Sequence, residues 1–166
     1  MRARVEDARL SSPAMPAGIN TLLESGYRYA FSLAHDSAEA EDLLQDACLS
    51  ILASGASWER PYLFATIRNR FIDRYRRNRK ILFLSLERED EAGDDMEETN
   101  WEAPDVLQNG ALGRALAALR VEERETLFLA VVEGYTAEEI GELTSRPRGT
   151  ILSLLHRTKA KLRKVL

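Results

Sequence analysis

The chain has 166 residues, 45% of them hydrophobic and 30% charged, which is typical of one globular domain or two small ones. It contains no run of about eighteen uncharged apolar residues, which excludes a membrane-spanning helix on the sequence alone. The N-terminus lacks an apolar signal core, so we expect a cytoplasmic protein without membrane insertion.

The net charge of −4 averages segments of opposite character. Residues 68–80 contain seven basic residues and one acid, and residues 146–164 contain seven basic residues and no acid. Between them, residues 85–105 contain ten acids and a single basic residue. The negative average therefore does not argue against nucleic-acid binding.

The first sixteen residues lack hydrophobic periodicity and are predicted to be a disordered tail, residues 1–16. Apolar residues at helical spacing then predict two helices, over residues 17–34 and 37–53. Asp36 suits the N-cap of the second helix, and Glu39, three residues on, completes an arrangement like a capping box.

The second of these helices has two different sides. On its apolar side, the single cysteine, Cys48, and Leu52 are predicted to join the core. One cysteine excludes an internal disulfide. The other side is acidic and carries Asp42, Gln45 and Asp46, and such a face is most often simply solvated.

A third helix is predicted over residues 62–80, with aromatic and basic side chains interleaved. Aromatic rings in a basic helix suit single-stranded nucleic acid, because bases stack on rings while guanidinium groups hold phosphates. The alternative is that Phe64, Ile67, Phe71 and Tyr75 are core and the arginines are solvated. We expect both to be partly true.

Residues 81–109 are predicted to be a flexible acidic linker, since like charges repel and extend such a segment. Helical spacing beyond it predicts a second domain, residues 110–166, with four helices and Gly134 as a C-cap. No segment has strand periodicity. The predicted fold class is therefore all-α, with a three-helix domain over residues 17–80 linked to a four-helix domain.

The end of the chain, from Thr136 to Lys164, is predicted to be a helix-turn-helix. Thr136 and Glu139 form a capping box, and Pro147 ends the first helix at the turn. Two short helices across a tight turn, the second of them basic, fit the major groove of DNA. The alternative is a helical hairpin with a solvated basic end.

No arrangement of residues supports catalysis, so we expect no enzyme activity, no cofactor and no bound metal. His35 and His156 have no spaced carboxylates or cysteines with which to build a metal site. Neither a phosphate-binding glycine loop nor a serine nucleophile motif is present.

Two blocks of the sequence resemble the extracytoplasmic-function (ECF) sigma factors of bacterial RNA polymerase. Residues 40–46 (AEDLLQD) and 62–77 (YLFATIRNRFIDRYRR) resemble sigma region two. Residues 116–119 (LAAL), 133–141 (EGYTAEEIG), 147–151 (PRGTI) and 155–157 (LHR) resemble region four. The resemblance implies a two-domain initiation factor that recruits core RNA polymerase to promoter DNA and is held inactive by an anti-sigma factor.

The same resemblance implies roles for three groups of residues. The polymerase would be bound through Asp42, Gln45 and Asp46. The −10 element, melted and captured by region two, would be contacted by Trp58, Arg68, Asn69, Arg70, Arg74, Arg76 and Arg77. The −35 element, read in the major groove by region four, would be contacted by Arg148, Thr150, Ser153, Arg157 and Lys159.

The chain departs from the family pattern mainly in the second helix of the helix-turn-helix. Leu152 and Leu154 stand where the family has basic or polar residues, and Arg148 stands where it tends to have an apolar one. Either the two leucines meet thymine methyl groups, or they extend the core, or they bind a protein.

Two other functions remain as alternatives. A sigma-like decoy would bind an anti-sigma factor without binding DNA, but it would have little reason to keep the basic helix at residues 68–80. A helix-turn-helix repressor would bind duplex DNA tightly without polymerase, which leaves the first domain without a role.

Overall fold

The computed structural model describes residues 15–86 and 110–165, and within these ranges the chain is helical with no strand. The helices are α1 (Ile19–Ala34), α2 (Ser37–Ser54), α3 (Arg60–Leu86), α4 (Ala111–Ala117), α5 (Val121–Val131), α6 (Ala137–Thr144) and α7 (Arg148–Val165). The predicted all-α class is confirmed. Most of the predicted tail and linker, residues 1–14 and 87–109, lies outside the described residues, as does Leu166.

The helix boundaries follow local signals, with two corrections. Asp36 caps α2, its Oδ1 accepting from the Glu39 backbone N–H at 2.7 Å, as predicted. The third helix does not end at Lys80 but continues to Leu86, because no proline or glycine interrupts this run. Gly134 does not cap α5, which ends at Val131; it lies further on, in the turn, with φ 72°.

The first half packs α1, α2 and α3 against one another. Leu33, Leu43 and Leu63, one from each helix, are buried at its centre. Gly26 lets the helices approach closely, since a Cβ there would lie 2.9 Å from methyl carbons of both Leu44 and Leu63. Close packing of this kind makes even a single added methyl group costly.

Two predicted core positions of α2 are less buried than expected. Cys48 is half-buried, and burial raises the pKa of its thiol. Leu52 is 37% exposed, and Leu49, one turn away from the acidic residues of the same helix, is 64% exposed. The apolar stripe of α2 is therefore narrower than its sequence indicates, because α1 and α3 cover only one side.

The second half packs directly on the first, and one apolar cluster runs through both. Helix α5 lies against α1, and α6 lies against α3. The Tyr29 ring stacks on Phe64 with centroids 4.4 Å apart and lies 6.0 Å from Phe128 of α5. Phe64 in turn stacks on Tyr135, in the turn before α6, at 6.3 Å. Four aromatic rings thus join the two halves.

Candidate nucleic-acid interface

The aromatic side chains of α3 divide between core and surface. Phe64 and Ile67 are fully buried, whereas Phe71 is half-buried and Tyr75 is 42% exposed. The rings of Phe71 and Tyr75 stack with centroids 6.4 Å apart. The first two turns of α3 therefore supply core, and a later aromatic pair reaches the surface. Stacking of a base on this pair stays a prediction.

The polar residues predicted for −10 contact all lie on α3 except Trp58. Asn69, Arg76 and Arg77 are exposed, and Arg70 is half-buried. Arg77 is exposed, and its Nε donates to the carbonyl of Asp73 within its own helix at 3.4 Å. Together these side chains form a polar and basic surface along one side of α3.

Arg68 lies elsewhere, in the contact between the two halves. Its Nε donates to Oε1 of Glu125 on α5 at 2.9 Å, and only 15% of its side chain is exposed. The Tyr29 hydroxyl donates to the same oxygen at 2.7 Å, and Nη1 of Arg146 lies 3.9 Å from the other. Because the tyrosine is buried beside a carboxylate, its pKa is raised well above the usual value. The Glu125 carboxylate thus contacts one tyrosine and two arginines.

Two further arginines cross the same boundary. Arg124 of α5 donates to the backbone carbonyls of Ser32 and Leu33 at 3.2 and 3.4 Å. These carbonyls belong to the last turn of α1, where a cation is favoured by the helix dipole. Arg60 at the start of α3 donates to Glu133 at 3.0 Å. Arginines that donate to carbonyls or to a carboxylate therefore add to the contact between the two halves.

Arg74 brings the predicted −10 and polymerase surfaces together. Its Nη2 donates to Oδ2 of Asp46 at 2.6 Å, and its Nη1 lies 3.8 Å from Oδ2 of Asp42. Gln45 between them is exposed on the same helix. The guanidinium thus bridges α3 to the acidic face of α2 and orients two of the three carboxylate and amide groups predicted there.

Trp58 lies in the loop before α3 and packs, half-buried, against the apolar cluster. Its indole Nε1 is buried and has no hydrogen-bond partner among the described residues. A ring held this way covers the core beneath the loop, and only its partly exposed edge is available to a base.

The helix-turn-helix forms as predicted. The Thr136 hydroxyl accepts from the Glu139 N–H at 3.2 Å, and the Glu139 carboxylate accepts from the Thr136 N–H at 2.7 Å. These bonds lower the pKa of Glu139. Helix α6 ends with Ser145 in the left-handed region, and the chain turns so sharply that a Cβ on Gly141 would lie 2.6 Å from the Arg146 carbonyl oxygen. The turn requires a glycine there.

All five residues predicted for −35 contact are exposed on α7: Arg148, Thr150, Ser153, Arg157 and Lys159. The opposite side of α7 is anchored by Ile151 and Thr158, both fully buried. Lys161 joins α7 to α5, since its Nζ donates to both carboxylate oxygens of Glu123 at 2.7 and 3.0 Å. The remaining cations of α7 are exposed.

The structure separates the two unusual leucines of α7. Leu154 is half-buried and packs against the apolar cluster, whereas Leu152 is 43% exposed. Leu154 therefore extends the core, and only Leu152 is available to a partner.

The residues that sequence reasoning missed are those that join the halves, chiefly Glu125, Arg124 and Tyr29. Glu125 is only 2% exposed. The sequence offered one signal for Glu125, the group of glutamates in α5. Helical periodicity alone assigns such a group to a solvent-exposed face. The exposed Leu49 beside Asp46 was also missed, because an apolar residue in a helix is ordinarily assigned to the core.

The described ranges contain no helix that is both long enough and apolar enough to cross a membrane. In the same ranges, no group of three or more histidine, cysteine, aspartate or glutamate side chains is arranged to hold a metal ion.

Two family models match the chain. That of sigma-70 region 2 matches residues 19–81, and that of sigma-70, region 4, matches residues 109–162. Among curated proteins, the RNA polymerase sigma factor CarQ of Myxococcus xanthus is 32% identical over 139 residues, which are 81% of this chain and 78% of CarQ. The ECF RNA polymerase sigma factor SigE of Mycolicibacterium smegmatis is 30% identical over 98% of this chain, which spans only 66% of SigE.

The fold is similar to that of a solved structure, the sigma factor RpoE in complex with the anti-sigma factor NepR from Bartonella quintana. The TM-score is 0.66 with 24% sequence identity, over 89% of this chain and 92% of that one. At this level of sequence identity, the comparison shows that the two chains share a fold.

Proposed function

The chain belongs to the ECF sigma factors of bacterial RNA polymerase, and from this membership we propose that it directs core polymerase to a particular set of promoters in the cytoplasm. The observation that carries the proposal is a pair of exposed basic surfaces, one on each half: the outer side of α3 and the outer side of α7. Two such surfaces fit two separate promoter elements.

Region two, residues 17–80, captures the melted −10 strand in this proposal. Exposed guanidinium groups of Arg76 and Arg77 hold phosphates, Asn69 offers an amide to a base edge, and the Phe71–Tyr75 pair supplies a stacking surface. These contacts suit single-stranded DNA, because an intact duplex hides the faces of the bases on which protein rings would stack.

Region four, residues 110–166, lies in the major groove at the −35 element. Arg148, Arg157 and Lys159 neutralise phosphates, while Thr150 and Ser153 face the base edges. The capping box and the tight turn hold α6 and α7 at a defined angle, so the register of α7 in the groove is set before binding.

The acidic face of α2 binds the polymerase. Asp42 and Gln45 are exposed, and Asp46 is oriented by Arg74. Leu49 adds an apolar side chain next to them, and an apolar centre with a charged rim is a common composition for a protein interface.

Arg68 cannot contact DNA while it is bonded to Glu125. In our proposal the two halves separate on polymerase, which frees Arg68 for the −10 strand and lets α7 reach the upstream element. The solved relative, RpoE, is bound to an anti-sigma factor. We extend this to the present chain: an anti-sigma factor holds it off polymerase until a signal releases it.

Run-off transcription tests the proposal. Purified core polymerase, with and without the full chain, is given genomic fragments, and specific transcripts are expected only when the chain is present. A chain that forms a stable complex with an anti-sigma factor but yields no specific transcript would be the decoy. Tight duplex binding without polymerase would instead indicate a repressor.

A further inference from the structure

A large apolar side chain, Leu152, is exposed on α7 among polar and basic residues. Leu152 is 43% exposed. Arg148 lies one turn before it and His156 one turn after it, and both are exposed. An isolated exposed leucine is ordinary on a protein surface. Its position in a helix-turn-helix is the feature that calls for an explanation.

The first turns of the second helix in this motif are the part that contacts base edges in the major groove. Leu152 lies in the second turn of α7, which begins at Arg148. The neighbouring Ile151, which anchors α7, is fully buried, and Leu152 lies about 100° further round the helix. Leu152 is therefore exposed on the part of α7 that enters the groove in this motif, where base edges are within reach.

Two polar neighbours of Leu152 already make hydrogen bonds within α7. The Ser153 hydroxyl donates to the Gly149 carbonyl at 3.0 Å, and Nε of Arg157 approaches the Ser153 carbonyl at 3.4 Å. Gly149 has no side chain and leaves open space beside the helix. Leu152 is exposed beside these residues and has no polar group that needs a partner.

We propose that Leu152 is a specificity-determining residue of region four, which selects a thymine in the −35 element by apolar contact with its C5-methyl group. The inference deepens the proposed function and rests on it. A leucine offers no donor or acceptor, and the thymine methyl is the one apolar group on the major-groove edge of the four bases. The surrounding cations, Arg148, Arg157 and Lys159, favour DNA over an apolar protein surface as the occupant.

The test isolates the methyl group. Holoenzyme made from core polymerase and the full chain is first used to select its preferred upstream element from a random duplex library. Each thymine of that element is then replaced by deoxyuridine, which differs only in lacking the methyl. At one position the replacement is expected to weaken binding about fourfold, the effect of losing one buried methyl contact.

The sensitivity should depend on Leu152 alone. Holoenzyme with Leu152→Ala is expected to bind thymine and deoxyuridine duplexes equally at that position. Val131→Ala, which truncates an apolar side chain 65% exposed on α5, should keep the fourfold difference. Because both residues are exposed, neither change should alter the thermal unfolding of the free chain appreciably.

Three results would overturn the inference. If deoxyuridine has no effect at any thymine, or if the effect persists with Leu152→Ala, the residue does not read a methyl group. If Leu152→Ala weakens polymerase binding and leaves the methyl effect intact, the residue contacts protein. In each of these cases, specific run-off transcripts would still support the proposed function. If the holoenzyme selects no element and yields no specific transcript, both the proposed function and the role of Leu152 are rejected.

Discussion

Arg68 and Glu125 are 57 residues apart in the chain, yet the guanidinium of one donates to the carboxylate of the other at 2.9 Å across the boundary between the two halves. The arginine belongs to the proposed −10 surface and the glutamate to region four. The contact therefore couples the arrangement of the halves to the availability of Arg68, a proposed DNA-binding residue.

The first prediction concerns Glu125→Gln, which keeps the size of the side chain and removes its charge. We expect the two halves to separate more often, because a buried arginine whose ionic partner is lost gains by returning to water. Small-angle scattering of the free chain should give a larger radius of gyration. Glu138→Gln, an exposed carboxylate on α6, is the matched control and should leave it unchanged. Equal values for all three proteins would contradict the coupling.

The second prediction separates two residues of α3. Asn69→Ala should reduce promoter opening about fivefold or more while preserving assembly with polymerase, because in the proposed function its exposed amide contacts only DNA. Arg74→Ala should weaken both promoter opening and assembly, since it also releases Asp46 and Asp42 on the proposed polymerase-binding face. Permanganate reactivity of −10 thymines measures opening, and fluorescence anisotropy measures assembly.

Arg28→Ala serves as the control for these variants. It removes an arginine of α1 whose side chain is 55% exposed, outside both proposed surfaces. It should change neither measurement. If Arg74→Ala reduces opening alone, its bond to Asp46 has no part in polymerase binding.

The third prediction concerns the turn of the helix-turn-helix. Gly141→Ala should lower the free energy of unfolding by about 1–3 kcal/mol, because the new methyl would meet the Arg146 carbonyl at 2.6 Å and force the backbone to shift. Gly149→Ala meets nothing within 4 Å and should be neutral or stabilising by up to about 1 kcal/mol. Urea unfolding of both variants provides the comparison. A Gly141→Ala variant as stable as the parent would mean that the turn is looser than described.

The fourth prediction concerns pH. Burial, with the nearby Arg124, lowers the pKa of His35 from 6.5 to about 4. As the pH falls, His35 of the unfolded chain is therefore protonated before His35 of the folded chain. The folded state has its full stability from this residue above about pH 6.5 and loses that contribution as the pH falls toward 4. The midpoint of thermal unfolding should decline from pH 7 to pH 5 in the parent protein.

His35→Asn should reduce that decline, since asparagine does not titrate and tolerates the left-handed backbone at this position, φ 55°. His156→Asn, at an exposed site on α7, should leave it intact. If both variants decline as steeply as the parent, other groups control the acid sensitivity.

Much of the fold and part of the site were predictable from the sequence because they depend on neighbours within a few residues. The cap formed by Asp36, the capping box of Thr136 and Glu139, and the exposed cations of α7 are all local features. The end of α3 was placed too early, since a charged and apolar run after Lys80 lacks the proline or glycine that would have marked a boundary.

The sequence by itself determined the helices and their polar and apolar sides, because hydrophobic spacing and capping depend on residues only a few positions apart. The sigma family was indicated by a different feature, the resemblance of residues 40–46, 62–77 and 133–141 to sigma motifs. Only the tertiary structure decided that Leu154 is core while Leu152 is exposed, that Arg74 bonds to the acidic face of α2, and that Glu125 holds Arg68 and Tyr29. Tyr29 and Glu125 are 96 residues apart. Their contact exists only because the halves fold onto each other, and no local pattern records which distant side chains will share a buried carboxylate.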